Sequence, residues 1–139
     1  METEKIPKTA QELIESSKIA FLGSINDEGY PNIKAMLNIK TEGLKTIWFS
    51  TNTSSKRVSQ FRKNSKACVY YVDDKKFMGL MLIGEIDVLQ ERAYREMLWK
   101  KGFERYYPLG MDDPDYTVLR FTTKWGNFYH GLSNINFEF

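Results

Sequence analysis

Trp48-Phe49-Ser50-Thr51-Asn52-Thr53-Ser54-Ser55-Lys56-Arg57 is an apolar run that stops in hydroxyls and a pair of cations. Val58 and Phe61 then resume the apolar pattern at helical spacing, so the run predicts a strand, a hydroxyl-rich loop and the first turn of a helix. A junction of this kind suits a phosphate. Backbone N–H groups left free at a helix start, their partial positive charge, neighbouring hydroxyls and the Lys56 ammonium can converge on one dianion. A phosphate-bearing ligand is therefore expected here. Ser54 or Ser55 also suits an ordinary N-cap, with Lys56 and Arg57 on a solvated helix face, and capping is compatible with phosphate binding.

The elements that must position this junction follow from periodicity. A helix is predicted over residues 10–17, with Thr9 and Glu12 as a capping box and Ala10, Leu13 and Ile14 on one face. Residues 19–25 form a strand, 26–29 a turn and 30–40 a returning strand. In that second strand Ile33, Ala35, Leu37 and Ile39 are expected to face the core, with Lys34, Met36, Asn38 and Lys40 on the other side. A turn at Glu42-Gly43 leads to a strand over 44–50, and the helix that opens near Ser55 ends around Asn64. Strands over 67–72 and 77–89 form a hairpin through the charged turn 73–76. Gly79 and Gly84 mark curvature, a bulge or a close approach. Residues 90–101 are helical with Gly102 as the stop. A strand follows over 116–121, continued after a break by 124–129. Asp112, Asp113 and Asp115 serve turn chemistry rather than a metal.

With 139 residues the chain is one domain, 1–139, with room for one core. Lys and Arg total 20 against 18 Asp and Glu, and the cations are scattered among anions, which argues against a nucleic-acid binder. The single cysteine, Cys68, is expected as a small buried strand residue. Met1 to Lys5 carry no apolar signal segment and no apolar run is long enough to cross a bilayer, so a soluble cytoplasmic protein with no membrane partner is expected. Aromatic residues make up 14%, enough to supply a core together with a subunit interface or a planar ligand site. About six strands with short turns and few helices predict a mainly β fold, a closed or partly closed barrel.

In this order of elements the chain resembles the pyridoxamine 5'-phosphate oxidase-like family of FMN-binding split barrels, and within it the small bacterial general-stress flavoproteins. The resemblance rests on Gly29-Tyr30-Pro31-Asn32-Ile33-Lys34-Ala35-Met36, on Phe49-Ser50-Thr51 through Ser55-Lys56, and on Leu82-Ile83-Gly84-Glu85-Ile86. It implies a split β-barrel of Greek-key type and a homodimer with FMN in a groove between the subunits. By the same resemblance, Thr51, Ser55 and Lys56 would hold the phosphate, with Lys34 reaching it or the ribityl chain. Ala35 and Met36 would face the flavin ring, Phe49 and Ser50 would line the same wall, and Trp125 would come from the partner subunit.

Two departures bear on function. Lys34 stands where many relatives have arginine, giving a point-charge contact in place of a bidentate one. The polar side chain that the oxidases place near Gly79 and their C-terminal arginine and histidine set have no counterpart here. His130 stands alone, at a strand end or facing solvent. The resemblance therefore implies an FMN-dependent oxidoreductase with a small-molecule redox partner, and not oxidation of pyridoxamine phosphate. No catalytic side chain is named, because the flavin carries the redox chemistry. A deazaflavin-dependent reductase, a flavin carrier without efficient turnover and a ligand-free β domain are the alternatives.

Overall fold

The chain, seen as a computed structural model that describes residues 6–139, runs α1 (Lys8–Ser16), β1 (Ile19–Ile25), β2 (Pro31–Leu37), β3 (Lys40–Glu42), β4 (Thr46–Asn52), α2 (Lys56–Lys63), β5 (Lys66–Asp73), β6 (Met78–Leu89), α3 (Arg92–Leu98), β7 (Tyr116–His130) and β8 (Ser133–Glu138). All eight strands pair antiparallel in one sheet, ordered β2-β1-β5-β6-β7-β4-β3, with β8 on the far half of β7. Laid flat, the seven strands of that path would span about 29 Å. Yet β2 and β3, its two edges, are joined only by Asn38 and Ile39, a reach of about 11 Å from Leu37 to Lys40. The sheet must therefore curl until its edges nearly meet, and it forms the split barrel expected.

Asn38 fixes that corner. Its amide donates to the carbonyls of Ile14 and Ser17 (2.8 Å each), and its oxygen accepts from the Tyr71 hydroxyl (2.9 Å). The inner face of the curled sheet carries the main core, including Leu22, Met36, Phe49, Leu82 and Phe121, closed by Leu13 and Ile14 of α1 and Phe61 of α2. A second cluster of Trp48, Leu98, Phe103, Tyr107, Tyr116 and Val118 packs α3 and its following turns against β4 and β7.

Several expectations are corrected. The strand expected over 30–40 is two strands, because Asn38 turns the backbone onto the other edge of the sheet. Its faces are inverted: Met36 lies in the core while Ile33, Ala35 and Leu37 point outward. Both rows of β2 contain apolar residues, so alternation alone does not say which row faces the core. Helix α1 begins at Lys8 after Pro7, which leaves Thr9 and Glu12 out of register for a capping box, and no side chain caps it. Helix α3 stops at Leu98, before Gly102, because Trp99 turns away to pack on Phe103, Tyr107 and Tyr116. The break expected in the last strand is absent: β7 runs unbroken through Thr122 and Thr123 and bulges at Lys124, opposite Ile83 and Gly84. A Cβ on Gly84 would collide with the Thr122 carbonyl, so this glycine does mark a close approach. Strand β8 was not foreseen, and Cys68 is half-exposed on the outer face rather than buried.

Among the described residues no helix is long and apolar enough to cross a membrane. Burial pushes the Tyr71 phenol above the ordinary tyrosine value of 10.0, so its neutral form is the one that serves the corner. That contribution should be fully present below pH of about 10 and lost as the pH rises through and beyond it, measurable as a falling melting temperature. Asn38→Ala should cost about 2–4 kcal/mol in urea denaturation, from three lost bonds and the groups left unpaired. A loss below about 1 kcal/mol would show that the corner holds without its side chain.

Candidate functional site

The loop from β4 to α2 is held from outside by Asp115. Its carboxylate accepts from the Ser54 backbone N–H (2.8 Å) and the Asn52 amide (2.7 Å), while its carbonyl accepts from Thr53 N–H. These bonds, led by that of Ser54, hold the Asp115 carboxyl below its usual range. Asp113 accepts from the backbone of Leu109 and Asp115, and Asp112 pairs with Arg92. The acidic trio is thus turn and ion-pair chemistry, and no group of three His, Cys, Asp or Glu among the described residues is placed to hold a metal.

With the loop fixed, Ser55 caps α2, its hydroxyl accepting from Val58 N–H at 3.4 Å. The first turn then presents Lys56 and Arg57. Across from it, Lys34 of β2 alternates onto the same face as Met36, and the Ser24 hydroxyl of β1 donates to Gln60 of α2 at 2.5 Å. Lys34, Lys56, Arg57, Ser24, Asn32 and Gln60 together line a cavity of about 150 Å³. Among the described residues none of its three cations pairs with a carboxylate.

Arg57 is the informative member. One terminal nitrogen donates to the Thr51 hydroxyl at 3.4 Å, but its Nε is buried with no hydrogen-bond partner. Burial pulls the guanidinium down from its ordinary value of 12.5. A half-desolvated cation with an unpaired donor, beside two ammonium groups, is an arrangement that an anion with several acceptor oxygens completes.

Ser24, Asn32 and Ile33 also line a second, apolar cavity of about 510 Å³ on the outer face, with Gly23, Ala67, Cys68 and Ile83. The two cavities therefore adjoin: one end suits a dianion, the other a flat apolar body. Cys68 faces this surface, and burial pushes its thiol up, which keeps it protonated and unreactive at neutral pH.

The residues expected at the site divide accordingly. Lys34 and Lys56 line the cationic cavity, Ser55 caps the helix beside it, and Thr51 is bound to Arg57. Ala35 points outward, whereas the side chains of Met36 and Phe49 lie in the core and reach no surface groove. Ser50 sits on the other face of β4, in the row of Trp48 and away from the cationic cavity. Trp125 is exposed on the outer face in the same cross-strand row as Ile33, but four strand spacings away, about 19 Å. Arg57, Ser24 and Gln60 were missed. The Ser-Lys-Arg run pointed at Arg57, while the other two are brought in only by the packing of α2 on β1.

A family model described as pyridoxamine 5'-phosphate oxidase like matches residues 5–137. Among solved structures, a Clostridium acetobutylicum protein described as related to general stress protein 26 of B. subtilis, of the pyridoxinephosphate oxidase family, is 56% identical. Its TM-score is 0.87, and the match covers 97% of this chain and 95% of that one. General stress protein 26 of Bacillus anthracis has the same fold at 14% identity and a TM-score of 0.73, with 99% and 100% of the two chains covered. A heme binding protein from Mycobacterium smegmatis has it too, at 14% identity and a TM-score of 0.75, over 96% of this chain and 59% of that one. None of the curated proteins matches this chain.

Inorganic phosphate should raise the melting temperature of cofactor-free protein by about 2–4 °C over chloride at equal ionic strength, as expected for a ligand that binds only the folded state. Arg57→Gln should remove most of that rise. Identical melting in phosphate and chloride would rule out a dianion site at this cavity.

Proposed function

The chain belongs to the pyridoxamine 5'-phosphate oxidase-like family, and on that premise we propose that it is an FMN-binding oxidoreductase working as a homodimer. The observation that carries this reading is the junction of the two cavities, with the unpaired Arg57 Nε at one end and an apolar surface at the other. Lys34, Lys56 and Arg57 would hold the phosphate. The outward row of β2, Ile33, Ala35 and Leu37, would offer the ring an apolar wall. Bound FMN would supply hydride or electron transfer, and the protein position and polarity. No side chain is assigned as acid or base.

The dimer reading rests on the outer face. Ile33 (69% exposed), Leu37 (51%), Phe77 (64%) and Trp125 (45%) all project from one side of the sheet beside Ile19 and Val72. Contiguous exposed apolar residues of this kind mark an association surface. Trp125 stands too far from β2 to meet a ring bound there in its own subunit, so its contact would be made across a two-fold axis. Closure of the face by a second copy would also keep water from the ring.

Heme is the second reading, favoured by the breadth of the apolar face and by the Mycobacterium smegmatis protein's description. The sole histidine, His130, is exposed at the end of β7 and lines a separate hollow with Met78 and Asp73 near α1, which leaves the outer face without an imidazole ligand.

Purified protein should show a two-banded flavin spectrum, release FMN on denaturation and scatter light as a dimer. Lys56→Ala and Arg57→Ala should each weaken FMN by about 1–3 kcal/mol. Mixing the Arg57→Ala and Trp125→Ala proteins should restore flavin fluorescence quenching that neither shows alone, because one site of the mixed dimer is intact. A flavin-loaded monomer would refute the shared site, and a Soret band in place of flavin absorption would favour heme.

A further inference from the structure

Gly79 of β6 leaves room for two phenols. A Cβ at this position would collide with the Tyr70 hydroxyl and the Tyr129 ring, so the glycine lets both side chains lean over the strand that separates them. Their hydroxyls bond each other at 3.0 Å, and whichever one donates, the other keeps its proton for a further acceptor. Burial, followed by the bond to Tyr129, pushes the Tyr70 phenol up to about 12, so that hydroxyl stays protonated at neutral pH. Phe77 walls the pair. Its exposed ring lies 5.5 Å from that of Tyr129, and its backbone takes a left-handed φ of 52°, steadied by its carbonyl, which accepts from Gly131 N–H at 3.1 Å. Strain of this kind gathers at ligand sites.

The pair stands in line with the two adjoining cavities. Along β1, Ser24 borders both cavities, Gly23 lines the apolar one, and Phe21 pairs with Tyr70. Tyr70 lies two residues past Cys68 on β5, about 7 Å along the same face. Its cross-strand row, Ala35, Phe21, Tyr70, Met81 and Asn127, holds no charged side chain. An ionic group on a ligand finds no counter-charge in this row, whereas a neutral carbonyl oxygen finds the unspent phenol proton and a flat apolar body finds Phe21, Met81 and Phe77. We infer that Tyr70 and Tyr129 form the subsite for the oxygen of a flat, neutral redox partner of the quinone class. Reduction of a quinone takes two electrons and two protons, both of which a reduced flavin carries, so the phenols need only hold the oxygen. The inference rests on the flavin reading above and adds the class of its partner.

Anthraquinone-2-sulfonate and anthracene-2-sulfonate share their rings and charge but not the carbonyls, and calorimetric titration of FMN-loaded, oxidised protein with each tests it. The wild type should bind the quinone about tenfold or more tightly than the hydrocarbon. Tyr70→Phe combined with Tyr129→Phe removes both hydroxyls and little else. It should bring the two probes within about twofold of each other while FMN affinity, followed by flavin fluorescence, stays unchanged. Gly79→Ala keeps the hydroxyls but displaces them, and should cut the preference about threefold or more. Equal binding of the two probes by the wild type, or a preference that survives the double change, would overturn the inference and spare the flavin reading. Failure to bind FMN would overturn both.

Discussion

Two residues, Asn38 and Ile39, join the opposite edges of one sheet, and that short connection is the constraint on which the rest of the structure depends. It obliges the sheet to curl, and curling gives it an inside and an outside with different duties. The inside closes on α1 and α2 as a dry core. The outside keeps an apolar surface that no element of the described chain covers. The same curl carries the edge strand β2 towards α2, so that Lys34 meets Lys56 and Arg57 although 22 and 23 residues separate them in sequence.

Two departures from the rules of a stable monomer adjoin at this site. At one, a partly desolvated guanidinium lacks a partner for its Nε. At the other, large apolar side chains face water. Each departure costs stability when considered alone. An anion with a flat apolar body attached would offset both, and a second copy of the chain would cover the remainder. Departures of this kind belong at functional sites, where consistency across levels gives way to binding.

Much of the fold was legible because it is written locally. The β4–α2 junction, the β5–β6 hairpin and the glycine at the bulge each depend on residues within a few positions of one another. What failed depends on partners far along the chain. The faces of β2 were inverted because Met36 and its outward neighbours are all apolar, and only the curl decides which row is enclosed. The unbroken β7 passes through Thr122, Thr123 and Lys124, which lack an alternating pattern, but Thr122 and Thr123 gain ladders from β4 and β6, and Lys124 is the bulge before the run that pairs with β8. Strand β8 is rich in asparagine and is held partly by Asn127, whose amide donates to Asn134 and Asn136. At the site, the cations on α2 could be read from spacing, whereas the burial of Arg57 and the bond between Ser24 and Gln60 are products of packing.

The central claim is that the cluster of Lys34, Lys56 and Arg57 is the phosphate end of a flavin site shared between two copies of the chain. A crystal structure of the protein grown with FMN addresses it most directly. The account predicts phosphate oxygens within hydrogen-bond distance of the Arg57 Nε and the two ammonium groups, with the ring on the outer face and Trp125 of the second copy at its edge. A flavin phosphate bound away from Arg57, or a ring enclosed by one chain alone, would contradict it.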